Sequence, residues 1–270
     1  MRIYSICMLL ILFFSASLRA AFENKGGGSL FIGAGSSGIA SVETAFAVMI
    51  NPAKLSFISA SEIDLYYRNY YLVSALDQIS LSSNLRFGKV PFGFSIDRFG
   101  NNLYSEYTLS AASAFETIDS LSVACKINFY QLQIKNYNNA SSYAVSLSAL
   151  YKINASFRVG FVYENITESV IGESKEKLPI NMALSFSFNP IHQMELNFDI
   201  FKDNRFDFEY RAGLYYHLNH WFMIMSGFRS SVNSYSGGIE FKKYGFRLVY
   251  ALAWHSSLGV SNTLSVGYEF

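Results

Sequence analysis

The chain has 270 residues and a formal net charge of +1, and its composition excludes several classes of protein. Charged residues make up 15% of the sequence, against about 25% in a typical soluble domain. Aromatic residues reach 17%, and nearly all of them are Phe or Tyr. A net charge this close to zero gives no electrostatic basis for binding nucleic acid, so we expect no nucleic-acid partner.

The first 20 residues have the features of a signal peptide. Arg2 supplies a positive charge, residues 7–14 form an apolar run, and residues 15–20 are a small-residue stretch that suits cleavage after Ala20. The apolar run is well short of the ~20 residues that a membrane-spanning helix needs. We therefore predict export and a signal peptide over residues 1–20, after which Cys125 is the only cysteine.

From Ile63 onward, apolar and polar residues alternate in segments separated by clusters of Gly, Asn, Asp, Pro or Lys. This period of two is typical of transmembrane β-strands. An unpaired sheet edge in lipid would leave polar backbone groups unsatisfied, so the strands must close on themselves. The pattern predicts an all-β fold, a closed antiparallel transmembrane barrel of about fourteen strands, with twelve or thirteen left open. The predicted strands are 62–72, 77–87, 90–99, 103–114, 120–135, 141–152, 155–166, 179–188, 193–201, 206–217, 221–229, 234–241, 244–254 and 260–270.

The last strand carries apolar residues on one face and ends on an aromatic residue. Leu264, Val266, Tyr268 and Phe270 alternate with Thr263, Ser265, Gly267 and Glu269. Such an ending resembles that of bacterial outer-membrane barrels, whose last strand is read by the barrel-assembly machinery. This resemblance implies a location in the outer membrane, with membrane lipid and that machinery as partners. Connections after even-numbered strands are mostly tight, which predicts that they lie on the periplasmic side.

If Phe270 faces lipid, the alternation turns a set of charged side chains toward the barrel lumen. Both signs of charge occur, so we expect ion pairs and hydrogen bonds that hold a plug or fill a narrow barrel. A charged pathway for a substrate is the alternative. The predicted lumen residues are Asp64, Arg68, Asp97, Glu106, Arg158, Glu164, Glu195, Asp199, Asp207, Glu209, Arg211 and Arg247.

A glycine-rich segment precedes the first strand. Gly33, Gly35 and Gly38 have the spacing of a dinucleotide-binding loop, but the strands downstream are antiparallel in pattern and no βαβ unit follows. A helix-compatible stretch over residues 40–50 leads into Asn51-Pro52-Ala53-Lys54-Leu55. We divide the mature chain into an N-terminal hatch, residues 21–60, and the barrel, residues 61–270.

The glycines Gly33, Gly35 and Gly38, the motif residues Asn51, Pro52, Ala53 and Leu55, and the terminal strand carry a family resemblance. Together they resemble the FadL-type and PorV/PorQ-type outer-membrane proteins over nearly the whole mature chain. The resemblance implies a hatch folded into the lumen of a fourteen-strand barrel. FadL-type and TodX-like members take up hydrophobic compounds, whereas PorV-type members serve type IX secretion.

Pro91 and Gly93 lie within the third predicted strand, where Pro or Gly often marks a kink. By resemblance, a kink there would form a lateral exit for hydrophobic cargo. The alternative is that Pro91 only ends the turn that begins at Gly88.

Three functions follow from these observations. We rank a PorV/PorQ-like role in protein secretion, surface attachment or structure first, with secretion-system proteins as partners. FadL-like uptake of a hydrophobic ligand is second. A barrel enzyme is third, because His255 with Ser256 or Ser257 is the only faint candidate, and we predict no catalytic residue, cofactor or metal. His217 and His220 form an H-x-x-H pair that lacks a third ligand.

Overall fold

The computed structural model describes residues 21–88, 90–118 and 120–270. The predicted signal peptide lies outside the described residues. Within them, no helix combines the length and the apolar character needed to cross a membrane.

In the described part of the chain, fourteen strands form one closed antiparallel barrel, which confirms the predicted fold class and strand number. Consecutive barrel strands pair with each other, and β1 pairs with β16 from Glu62↔Glu269 to Asn69↔Asn262, so the wall has no free edge. Two short strands, β8 (Val170–Ile171) and β9 (Glu176–Lys177), form a separate hairpin between β7 and β10. The barrel strands are β1 (Glu62–Asn69), β2 (Asp77–Phe87), β3 (Val90–Gly100), β4 (Tyr104–Ile118), β5 (Leu121–Ile134), β6 (Ala140–Lys152), β7 (Phe157–Glu164), β10 (Asn181–Ile191), β11 (Met194–Asp203), β12 (Glu209–His217), β13 (Phe222–Arg229), β14 (Ser234–Lys243), β15 (Phe246–His255) and β16 (Gly259–Glu269).

The outer face of the barrel is apolar. Along β15, Phe246, Leu248, Tyr250, Leu252 and Trp254 are all exposed, whereas Arg247, Val249, Ala251 and Ala253 are buried on the lumen side. Leu264, Val266, Tyr268 and Phe270 likewise lie on the exposed face. A continuous apolar wall of this size would not be stable in water and matches the outward-facing band of a membrane barrel.

The two ends of the barrel differ in the length of their connections. At the end where β1 begins and β16 ends, the links between barrel strands are two to four residues long. At the opposite end they extend up to the segment 165–180, which contains the β8–β9 hairpin. Outer-membrane barrels have short periplasmic turns and longer external loops, and on that rule we call the second end the outer end.

The hatch has little regular structure. It contains α1 (Ser29–Gly33), α2 (Ala47–Ile50) and a 3-10 helix (Pro52–Phe57). The helix-compatible stretch over 40–50 is helical only in its last turn, because the amides of Ala40 and Ala45 bond to barrel side chains instead. Asn51 begins the 3-10 helix by accepting a hydrogen bond from the amide of Ala53, with Pro52 at the first helical position.

Asp207 was wrongly predicted to face the lumen. β12 begins at Glu209, and Asp207 lies exposed in the loop before it. The cause is a turn in which the amide of Phe206 donates to the carbonyl of Asp203 (3.1 Å) and the Arg205 side chain binds the Asp203 carboxylate. The turn includes Phe206, the first residue of the predicted strand, and the strand itself begins later, at Glu209.

The assignment of the two faces predicts how a charge on the outer face affects stability. Ile96 lies near the middle of β3, is exposed, and pairs with Leu81 and Leu109. Ile96→Arg should lower the free energy of unfolding in lipid by about 2–4 kcal/mol, because it places a charge near the bilayer midplane. The matched control is Leu103→Arg in the exposed loop 101–103, which should cost about 0–1 kcal/mol. Denaturant unfolding in vesicles measures both; equal losses would show that the faces are wrongly assigned.

Candidate functional site: the hatch and the lumen around it

Hatch side chains fill the middle of the barrel. Phe31, Ile32, Ile39 and Phe46 are buried in one cluster with wall residues such as Tyr66. Phe46 and Tyr66 meet edge to face with ring centroids 5.8 Å apart. Ala47, Val48 and Leu55 join a second cluster with small wall residues, among them Ala112 and Ala124. The hatch is therefore packed as a core and closes the lumen.

Glycines in the wall let the hatch backbone come into direct contact with the strands. A Cβ atom at Gly227 would lie 2.1 Å from the carbonyl carbon of Ala34, and one at Gly213 would lie 2.4 Å from the Ala34 oxygen. Gly35 of the hatch, with φ of 72°, comes equally close to the wall, because a Cβ atom on it would lie 2.5 Å from the amide nitrogen of Phe228. Gly93 serves the same purpose on β3, where a Cβ would meet Leu55 and Val48 at 2.9 Å.

Lumen side chains accept hydrogen bonds from the hatch amides. Asp199 accepts from the amides of Gly38 (3.0 Å) and Ile39 (3.3 Å), and Asp64 accepts from Ala45 (3.0 Å). Serine hydroxyls do the same for four further amides. These pairs are Ser265 with Ser29 (2.9 Å), Ser236 with Gly35 (2.8 Å), Ser185 with Ala40 (3.0 Å) and Ser148 with Ala53 (3.1 Å).

Other lumen side chains donate to hatch carbonyls. Arg211 donates to the carbonyl of Ser36 (3.2 Å) and Lys126 donates to that of Met49 (3.1 Å). Gln78 and Tyr215 bind the carbonyls of Gly26 and Leu30, each at 3.2 Å. The serines, Gln78 and Tyr215 were missed by sequence reasoning, which considered only charged residues; their lumen phase in each strand was the available signal.

The remaining predicted lumen charges form ion pairs, ring contacts or hydrogen bonds with other lumen side chains. Arg247 contacts Glu62 and lies 3.7 Å from Asp64, and Arg68 stacks on the ring of Tyr70 at 4.0 Å. Asp97 accepts from Gln78 at 2.8 Å. The other pairs are Glu106 with Lys25 (2.5 Å), Glu164 with Lys126 (2.8 Å), Glu209 with Arg229 (3.0 Å), Glu209 with Arg211, and Arg158 with Glu195.

The predicted kink at Pro91 and Gly93 is absent from β3. Arg86↔Pro91 belongs to an unbroken ladder with β2, and the ladder with β4 runs without a shift from Phe92↔Ser113 to Gly100↔Ser105. Pro91 is the second residue of the strand, so it follows the turn and leaves the wall intact. Gly93 instead gives the hatch room, as described above.

Near the periplasmic end, Lys54 anchors the hatch by a buried charge. Its side chain is 1% exposed, and its Nζ lies 2.8 Å from Oε1 of Glu43, which also contacts Arg158 at 3.2 Å. Burial lowers the pKa of Lys54 to about 8, although the attraction of Glu43 opposes that shift. Glu43 itself is 60% exposed. The ion pair therefore matters more to Lys54, whose charge is buried, than to Glu43, whose charge is exposed to solvent.

Two adjoining cavities lie beside the hatch. The inner cavity, about 20 Å³, is mostly apolar and is lined by residues including Phe31, Ile39, Val162 and Phe201. The outer cavity, about 90 Å³, is polar and lies toward the outer end of the barrel. It is lined by residues including Lys25, Asp97, Glu106, Lys126 and Asn128.

The residues considered for catalysis or metal binding do not assemble a site. Nδ1 of His255 accepts from the amides of Ser257 (3.1 Å) and Leu258 (3.3 Å), and the Ser256 hydroxyl points to the carbonyl of Val232. Among the described residues, no three His, Cys, Asp or Glu side chains come together as a metal site.

The Lys54–Glu43 pair generates a pH-dependent prediction. Glu43→Gln should lower the hydrogen-exchange protection of residues 47–57 by about tenfold at pH 7, because it leaves a buried charge uncompensated. Loss of Glu43 should also lower the pKa of Lys54 further. A lysine whose folded pKa is below its unfolded value stabilises folding more as pH rises between the two values. As the pH increases, the hydrogen-exchange protection of residues 47–57 should therefore begin to rise below pH 8 in Glu43→Gln, but only above about pH 8 in the wild type.

The control is Lys54→Met, which removes the buried charge and should leave protection near the wild-type value. Equal loss in both variants would contradict the role given to Lys54.

No protein-family model and no curated protein matches the chain. Solved structures do match it. The chain is similar to the toluene transporter TbuX of Ralstonia pickettii, with a TM-score of 0.72 and 12% identity over 93% of this chain and 100% of that chain. For the toluene transporter TodX of P. putida, the TM-score is 0.68 and the identity 11%, over 92% and 99% of the two chains.

A Pseudomonas aeruginosa FadL homologue is also similar, with a TM-score of 0.63 and 10% identity over 90% of this chain and 98% of that one. At such identities the likeness establishes the fold. It supports the FadL-type part of the predicted resemblance and gives no support to the PorV/PorQ-type part.

Proposed function

We propose that this protein carries small hydrophobic molecules across the bacterial outer membrane through a barrel whose hatch shifts to let them pass. The main support is the similarity of fold to two toluene transporters over more than nine-tenths of the chain. The apolar outer face supports the membrane location. The mostly apolar lining of the inner cavity, which includes Phe31, Val162 and Phe201, supports a hydrophobic cargo.

Passage requires movement of the hatch. An apolar cavity that binds benzene has a volume of about 150 Å³, whereas the inner cavity has about 20 Å³. The ladder of β3 is unbroken, so the proposal does not use an exit at Pro91. Besides the packing of its side chains against the wall, the hatch is attached by hydrogen bonds, each with a net contribution to stability of about 0.5–1.5 kcal/mol, or about 1.5–3 kcal/mol where one group is charged. A local rearrangement of the hatch is thus compatible with an intact barrel.

Hydrophobic transport thus ranks above protein secretion, which is the reverse of the ranking predicted from the sequence. A secretion role rested on family resemblance alone, and the structural similarity favours transport. Protein secretion stays a prediction, which co-purification of secretion components with the folded protein would test.

Uptake of radiolabelled toluene tests the proposal directly when the vesicles that contain the purified protein are made with lipopolysaccharide, which slows the passive entry of apolar molecules. We expect uptake above that of protein-free vesicles and of vesicles containing the heat-denatured protein. Uptake equal to these controls would contradict the proposal.

A glycine variant tests the role of the hatch. Gly227→Ala places a Cβ where the backbone of Ala34 and Gly35 lies, so the hatch must shift and the conductance of single barrels in planar bilayers should rise several-fold. The matched control is Gly237→Ala on the next strand, where the nearest atom is 3.4 Å away. Wild-type conductance in both variants would show that the hatch does not control the lumen.

A further inference from the structure

We infer that the cargo is an amphipathic small molecule with an apolar body and a head group that donates hydrogen bonds, a hydroxyl or an ammonium. This inference rests on the proposed function and names its substrate class. It depends on the junction between the inner and outer cavities, where Asn24, Gly26, Met49, Glu164 and Asn181 line both.

Asn181 carries a buried acceptor without a partner beside this junction. Its side chain is 5% exposed, and its Nδ2 donates to Oε2 of Glu164 at 3.1 Å. Its Oδ1 accepts no hydrogen bond from any described residue. A buried acceptor without a partner is unfavourable, so a donor at this point, from water or from a ligand, is strongly favoured.

The charged groups around the junction favour a donor over an acid. Four carboxyl groups line the outer cavity, Glu23, Asp97, Glu106 and Glu164, against two lysines. Both lysines are already paired, Lys25 with Glu106 and Lys126 with Glu164, and Arg211, which lines the inner cavity, is paired with Glu209. Glu164 also accepts from Asn24 at 2.9 Å. A ligand carboxylate would therefore meet like charges and no unpaired lysine, whereas a hydroxyl or ammonium can donate to Asn181.

Met49 is one of the residues that line both cavities, and its side chain can move to admit the ligand's body. Its backbone carbonyl is held by Lys126 at 3.1 Å. Methionine is unbranched and adapts its conformation readily. Rotation of this side chain would join the polar outer cavity to the apolar inner one. The head group would then lie at Asn181 and the apolar body against Phe31, Val162 and Phe201.

A ligand series with one aromatic body tests the inference. Calorimetric titration of the purified protein compares toluene, benzyl alcohol, benzylamine and benzoate. We expect benzyl alcohol or benzylamine to bind at least about tenfold more tightly than benzoate, since a single hydrogen bond and the absence of charge repulsion each contribute about that factor. The comparison of the alcohol with the amine identifies which donor is preferred.

The variant Asn181→Leu should reduce the ratio of benzyl alcohol affinity to toluene affinity about tenfold. The matched control is Asn197→Leu: Asn197 is 4% exposed and its Oδ1 is also unpaired among the described residues, but it lines neither cavity. It should keep the wild-type ratio. The wild-type ligand series stands on its own if Asn181→Leu does not fold.

Tighter binding of benzoate, or an unchanged ratio in folded Asn181→Leu, would overturn the inference and leave hydrophobic transport intact. Failure of every ligand to bind, together with no toluene uptake, would overturn the proposed function as well.

Discussion

The need to satisfy the buried backbone of the hatch is the constraint on which the rest of the structure depends. Short helices and turns pair many of the backbone groups of the hatch internally, but the amides of Gly38, Ile39 and Ala45, among others, bond to wall side chains. Buried backbone groups without partners are costly. The strands of the wall cannot supply partners from their own backbones, which are used in the closed ladder. Side chains of the wall supply them instead, from Asp64, Asp199 and Arg211 to a set of serines.

This constraint explains both the polarity and the small residues of the lumen. A carboxylate such as Asp199 can accept from two consecutive amides, which a hydroxyl does less readily. Glycine is required where the two backbones meet, as at Gly227 and Gly35. The charges that do not bind the hatch pair with each other, as Arg247 does with Glu62. Asn181 is one of several buried side chains that keep an atom without a partner among the described residues, and it is the one that we assign to a ligand because it lines both cavities.

The sequence predicted the barrel well because alternation is a local signal with a single physical cause, lipid on one side of the wall and lumen on the other. Fourteen strands and the outward phase of β16 follow from it. The prediction for Asp207 was wrong because a turn at Asp203 delays the start of the strand, although the sequence there still alternates. The predicted kink at Gly93 was wrong for a different reason. This glycine makes room for Val48 and Leu55 of the hatch, and such contacts depend on tertiary structure. For the serine acceptors, strand phase could have placed the hydroxyls in the lumen, but it could not have shown which of them bind the hatch and which bind water.

Tethering the hatch to the wall tests most directly whether its movement admits the cargo. The hydroxyl oxygens of Ser29 and Ser265 lie 2.9 Å apart, as do those of Ser56 and Ser122. Cysteines at both pairs, with Cys125 replaced by Ser, are close enough to form disulfides at the two ends of the hatch. We predict that oxidation abolishes toluene uptake by vesicles and that reduction restores it. Uptake that is the same in the oxidised and reduced protein would contradict a moving hatch.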